Sequence, residues 1–379
     1  MSKRQVTAGA IVALALGYGI AASAASAGEI KIGMVTPVTG PAAESGKYAQ
    51  IGAKMAIEEI NAAGGVNGNT LTLVIEDDQT TNPGAVAAFS RLASQSDIAV
   101  FLGSIRSTQV DAMSPDIMKV GKPVFIGGTA PQLTHQGNQW LFRCRPNDSY
   151  SARVIADFGV DTLGLKKWAI VHSTDAFGTG GMNALTAALK THGLEPALVQ
   201  GYPNQSPDFS AVVLAVKSSG ADIVGSYFTF ENDLGIFSKQ LKQFGIQAKW
   251  VGSPSIATAT AIKLAGPTLN GTYGIADFAA DSSPEAKAFS AKYESIAHAI
   301  ADNFSSWTFD AVHIAAKAMA DAKTTEPAKV REAILAIKGY KGVEGTYNFD
   351  QNGDGLHGYN IVQNEGGKIV FSKHVDYND

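Results

Sequence analysis

Residues 99–129 read AVFLGSIRSTQVDAMSPDIMKVGKPVFIGGT. The run Ala99 to Leu102 has the continuous apolar character of a buried strand, Ser107 to Val120 the spacing of a helix, and Pro123 to Gly127 that of a second strand. Strand, crossover helix and parallel strand make a βαβ unit, and in open α/β sheets ligands lie beyond the carboxyl ends of the strands. The loops Gly103-Ser104-Ile105-Arg106 and Gly127-Gly128-Thr129 therefore share one crevice. Ser107-Thr108 opens the helix, where unpaired N–H groups favour a carboxylate or phosphate, and Arg106 adds a fixed positive fork suited to carboxylate. The plainer alternative makes Ser107 an N-cap and Arg106 a solvated surface charge.

Outward from this unit, the 379-residue chain begins with Lys3 and Arg4, continues through the apolar run AGAIVALALGYGI, and reaches the small residues Ala21 to Ala27. That pattern predicts a cleavable signal peptide over residues 1–27, cut after Ala27 or alternatively after Ala24, and a periplasmic destination. No other stretch approaches the roughly 18 apolar residues of a membrane span. Without Lys3 and Arg4, 28 basic side chains face 34 acidic ones, a formal net charge of −6. This balance gives no support to nucleic-acid or anionic-membrane partners. The lone Cys144, in WLFRCRP, cannot form an internal disulfide and reads as a half-buried structural thiol. About 350 residues exceed what one domain usually uses.

The alternation of strand and helix starts at Ile30 to Val35, passes through a helix from Lys47 to Ala63 stopped by Gly64-Gly65, and continues with Leu71 to Glu76 and a helix opened by Asn82-Pro83. Trp140 to Arg145 reads as a strand leaving the first sheet. The same period then repeats: strands are expected at 168–172, 197–201, 223–228 and 249–252, separated by helices. Two similar α/β lobes follow. Three successive helices, at 284–300, 306–321 and 326–337, have no new parallel strands to cover and so pack on a sheet already built. Residues 359–363 and 368–372 form a hairpin.

Several motifs reduce to turn chemistry. Asp350-Gln351-Asn352-Gly353-Asp354-Gly355 resembles half of a calcium loop, but Ile361 stands where the bidentate glutamate belongs, so a tight polar turn is favoured. Gly178-Thr179-Gly180-Gly181 lacks the third spaced glycine and the lysine of phosphate loops. The seven histidines show no metal-ligand spacing, and no G-x-S-x-G elbow supports the His172, Ser173 and Asp175 group as hydrolytic. No catalytic residue, metal or cofactor is expected. Aromatic residues at strand ends, Phe177 and Tyr227-Phe228-Thr229-Phe230, offer an apolar pocket wall or plain core packing.

The segments IKIGMVTPVTGPAAESGKYAQIGAKMAIEEINAAGGVNG, Ser107-Thr108-Gln109, GGTAPQLT, FGTGG, DFSAVVLAVKSSGADIV and NFDQNGDG closely resemble the leucine/isoleucine/valine-binding family of periplasmic solute-binding proteins of ABC transporters. The resemblance covers the whole mature chain. It implies an α/β, type I periplasmic binding fold: two Rossmann-like lobes joined by three crossovers, residues 28–145 with 277–341 forming the first and 146–276 with 342–379 the second. It also implies a permease partner, a monomer and no enzymatic activity. The family's carboxylate-holding positions fall on Ser107 and Thr129. The carbonyl that takes a ligand's amino group falls on Gly127, and second-lobe contacts fall near Phe177, Phe228 to Phe230 and Ser253 to Ser255. Ser45 and Tyr227 complete the expected set.

Two departures from the family pattern bear on the ligand. Amino-acid binders carry a glutamate in the last of those segments, to pair with the ligand ammonium, whereas here Gly252-Ser253-Pro254-Ser255 has no acid. An ammonium buried without a counter-ion costs several kcal/mol. The serine-rich turn is also shortened, with Arg106 in it. Both changes favour an organic acid lacking an α-amino group, its apolar or aromatic body against Phe177, Phe228 and Phe230. An amino acid, with Glu231 or Asp233 replacing the missing acid, is the alternative, as is an amide.

Overall fold

A computed structural model describes residues 28–377 together with Met1; the signal-peptide expectation falls outside the described residues. The strands are β1 (Glu29–Thr36), β2 (Thr70–Asp77), β3 (Ile98–Leu102), β4 (Val124–Ile126), β5 (Leu141–Arg143), β6 (Trp168–Ser173), β7 (Leu198–Tyr202), β8 (Ile223–Tyr227), β9 (Lys249–Gly252), β10 (Tyr273–Ala276), β11 (Tyr340–Lys341), β12 (Thr346–Tyr347), β13 (Gly358–Glu365) and β14 (Lys368–Asp376). The helices are α1 (Ala43–Ala62), α2 (Asn82–Ala93), α3 (Ser107–Val120), α4 (Gln132–His135), α5 (Asp148–Asp157), α6 (Ala176–Thr191), α7 (Ser210–Ser219), α8 (Glu231–Gln243), α9 (Ala259–Ala265), α10 (Pro284–Ala297), α11 (Asn303–Ala322) and α12 (Pro327–Leu335).

The first sheet has the order β2-β1-β3-β4-β5, all parallel. The second runs β14-β13-β10-β9-β8-β6-β7, so its parallel part, from β7 through β6, β8 and β9 to β10, repeats the order of the first. Both orders reverse at one strand pair, and a crevice opens beyond the carboxyl ends there. Every residue of β3 is buried because helices cover both faces, which is why IAVFL needs no polar alternation. The antiparallel β13 and β14 continue the second sheet past β10.

Each sheet buries its own cores. Ile32, Val100 and Phe142 pack with Trp307, Val312 and Ile314 of α11, so the three successive helices do cover the first sheet. The chain crosses between lobes near 144–147, 277–278 and 354–358. One strand reading and one boundary differ from expectation. Trp140 to Arg145 was expected to leave the first sheet, but β5 is its last strand, paired with β4. Residues from 342 were expected in the second lobe, yet Val343, Tyr347, Phe349 and Leu356 are buried in the first core, and the second sheet resumes at Gly358. The small hairpin of β11 and β12 holds the chain there: Asp310 of α11 accepts hydrogen bonds from the Val343 and Glu344 backbone and from the Tyr347 hydroxyl.

The polar turn at 350–355 closes on itself. Asp350 Oδ1 accepts from the amides of Asn352 and Asp354, and the buried Asp354 pairs with Arg143 at 3.1 Å while accepting from Thr134 and Asn147. The acidic group that resembled a calcium loop is thus a clasp across two crossovers. Cys144 is fully buried rather than half-buried, and burial pushes its thiol pKa up, which suits a passive core residue. Among the described residues no helix is long and apolar enough to cross a membrane.

Candidate binding site

The cleft between the lobes is lined from the first by Ile105, Arg106, Ser107, Gly127, Thr129, Asn303 and Phe304, from the second by Phe177, Thr229, Glu231, Pro254, Ser255 and Thr258, and at the crossover by Arg145. The lobes meet so closely that the cavity between them is only about 30 Å³, so a solute enters when they part.

On the first lobe the start of α3 is built to donate. Its N-cap, Arg106, makes no side-chain cap, and its first turn contains no acid, so the positive end of the helix is unanswered by the protein. Ser107 Oγ accepts from the amides of Thr129 at 3.1 Å and Ala130 at 3.2 Å, which fixes its lone pairs and leaves its proton to donate. Thr129 is different. Its hydroxyl donates to Asp148 Oδ2 at 2.8 Å, so while Asp148 is ionised Thr129 offers the cleft an acceptor rather than a donor. Burial raises the Asp148 pKa to about 6, against the pull of Thr129, Arg145 and Arg143.

Arg145, which the sequence reading left in a strand, sits at the crossover. It donates from Nη1 to the Gly127 carbonyl at 2.7 Å and from Nε to Asp277, on the second crossover. Burial opposes its charge, but the Asp277 carboxylate more than offsets this and holds the guanidinium protonated. Close packing explains Gly127 itself: a Cβ there would lie 2.9 Å from the Trp307 ring and from the Ile105 backbone.

Arg106 spans the cleft. Its Nη2 lies 3.1 Å from Glu231 Oε2, its Nη1 donates to the Thr229 carbonyl, and its guanidinium lies over the rings of Phe230 and Phe304 at 5.1 and 5.5 Å. Arg106, expected to hold a ligand carboxylate and alternatively to be a surface charge, is an interlobe tie, buried on both sides. Two further links join the lobes: the Ala259 amide donates to Asp302 Oδ2 at 3.0 Å, and Lys263 pairs with Glu44 at 2.7 Å.

Of the expected ligand residues, Arg106, Ser107, Gly127, Thr129, Phe177 and Ser255 meet in this cleft. The others do not line it. Phe228 is buried among Tyr202, Phe209, Phe237 and Trp250, because a strand-end aromatic facing a helix joins the core. Tyr227 backs Phe177 edge to face at 5.7 Å and bonds Ser151, and Phe230 lies beneath the Arg106 guanidinium. Ser253 contacts Ser255, Ser45 is buried in α1, and Thr108 stands in the first turn of α3 outside the lining. Phe304 and Asn303, at the start of α11, were missed because nothing local marks a helix end some 200 residues away as facing α3.

The strand order, the paired lobes and this interlobe site are those of a known architecture, and a profile of the periplasmic binding protein family matches residues 29–368. The chain belongs to that family. This periplasmic binding protein is an extracytoplasmic solute-binding component of an ABC importer with the type I fold, a binder rather than an enzyme. It is 29% identical over 339 residues to the leucine-, isoleucine-, valine-, threonine- and alanine-binding protein of Pseudomonas aeruginosa, covering 89% of this chain and 90% of that one. The isoleucine complex of a branched-chain amino acid binding protein from Streptococcus pneumoniae superposes with a TM-score of 0.84 at 24% identity, covering 92% and 100% of the two chains. A solute-binding protein from R. palustris in complex with benzoate superposes with 0.83 at 19% identity, covering 93% and 98%.

Proposed function

We propose that this binding protein captures a small organic carboxylate without an α-amino group, between lobes that close over it, for delivery to a membrane permease. The observation that carries this reading is the Arg145 hydrogen bond to the Gly127 carbonyl. That carbonyl is the acceptor expected for a ligand ammonium, and the Arg145 guanidinium already takes one of its two lone pairs. An ammonium brought beside Arg145 would meet like charge at close range. A carboxylate would instead find the Ser107 hydroxyl, the open end of α3 and Arg145. Phe177, Phe304, Ile105 and Pro254 supply apolar walls for its body, and a benzoate complex of a protein with this fold supports an aromatic acid.

Ligand binding free energy drives closure if most contacts exist only when the lobes meet; a micromolar ligand supplies about 8 kcal/mol. No covalent step is needed. An amino acid is the second reading, favoured by the acceptor atom that Glu231 leaves free and by the relatives' stated ligands. A thermal-shift screen of aromatic acids, dicarboxylates, amides and amino acids separates the two. Stabilisation by organic acids is expected, and stabilisation by amino acids alone would refute the proposal.

A further inference from the structure

We infer that Glu231 is a specificity-determining residue whose free carboxylate oxygen accepts a hydrogen bond from an uncharged donor on the ligand, so that the preferred solute is a carboxylate bearing a hydroxyl or amide N–H. This inference rests on the organic-acid reading above. Glu231 lines the cleft at 3% exposure; Oε2 pairs with Arg106, while Oε1 is buried with no partner among the described residues. A buried carboxylate oxygen left unpaired is costly, and a ligand donor removes that cost.

The neighbouring second-lobe hydroxyls spend their protons inside the protein, so toward the cleft they add no donor. Ser255 donates to the Phe228 carbonyl at 2.6 Å, Thr258 donates to the Ser255 carbonyl at 3.3 Å, and Thr229 shares a hydrogen bond with Ser173 at 2.8 Å. The first lobe thus presents donors at Ser107 and the start of α3, with Thr129 an acceptor, and the second presents acceptors, of which Glu231 Oε1 is buried without a partner among the described residues. A solute held between them needs opposite groups on its two sides. The charge of Glu231 is already matched by Arg106, so a neutral donor completes the pair without adding charge beside it.

The test is calorimetric titration of matched probes: benzoate against 3- and 4-hydroxybenzoate, phenylacetate against 4-hydroxyphenylacetate, with 4-methoxybenzoate as a control of similar size lacking the donor and L-leucine as the amino acid. At least one hydroxylated acid is expected to bind tenfold or more tighter than its parent and than the methoxy control. In the Arg106→Met/Glu231→Leu double variant, which removes both charges together and so leaves neither orphaned, that preference should fall below about twofold. Parent and hydroxylated acids binding within twofold of each other in the unaltered protein would overturn the inference while leaving the organic-acid reading intact. A preference that survives in the double variant would overturn the assignment to Glu231. Binding of L-leucine with none of the acids would overturn both.

Discussion

Replacing Arg106 with methionine keeps most of the side-chain stem and removes the charge that reaches across the cleft. At 3.1 Å and an effective dielectric of about 20, attraction to Glu231 is about 5 kcal/mol, opposed by several kcal/mol for desolvating each ion as the lobes meet. The net value of the pair is therefore small, but the cost of breaking it is not. Arg106→Met leaves the Glu231 carboxylate and the Thr229 carbonyl facing a closed cleft without their partner, and orphaning one member of a buried pair costs about 3–5 kcal/mol. Since the cost falls on the closed form, the low end corresponds to about 100-fold weaker binding. Calorimetry with benzoate, a probe without the second donor, isolates this effect. The Arg106→Met/Glu231→Leu double variant carries no orphaned charge and should recover to within about tenfold of the unaltered protein. If the double variant binds benzoate no better than Arg106→Met alone, Arg106 does not act through Glu231 and the interlobe tie is irrelevant to closure.

Arg145→Met should remove the tie between two crossovers, leaving Asp277 buried without its cation; a loss of about 3 kcal/mol or more, read as a lowered calorimetric Tm, is expected, and an unchanged Tm would contradict it. Gly181→Ala would place a Cβ 2.1 Å from the Tyr227 ring, a buried aromatic that cannot withdraw, so denaturant unfolding should report a loss of about 1–3 kcal/mol. Burial raises the pKa of Asp148 and Asp310 to about 6 and of Asp302 to about 7, so the native state holds protons there more tightly than the unfolded chain does. Stability from these groups is fully present below about pH 4 and is lost as pH rises toward 7. Tm at pH 5 should exceed Tm at pH 8, by an amount on the order of 3 kcal/mol in unfolding free energy; a higher Tm at pH 8 would show these acids to be ionised at no cost.

The amino-acid order alone determined the alternating strands and helices, the two lobes, the first-lobe loops at 103–107 and 127–129, and the turn at 350–355, because each depends on local periodicity, glycine and proline placement, or side-chain hydrogen bonds to nearby backbone. Ser107 was legible because it both opens a helix and follows a buried strand. The interlobe chemistry was not. Arg106 finds Glu231 across 125 positions and Arg145 finds Asp277 across 132, and no local pattern distinguishes these charges from solvated ones. The aromatic residues failed for a related reason: Phe228 and Phe177 both stand near strand ends, but only the packing of α7, α8 and β9 decides that the first is enclosed and the second faces the cleft. Periodicity specifies which face of an element is apolar; which apolar face meets protein and which meets ligand is settled only when the lobes assemble and the buried charges choose their partners.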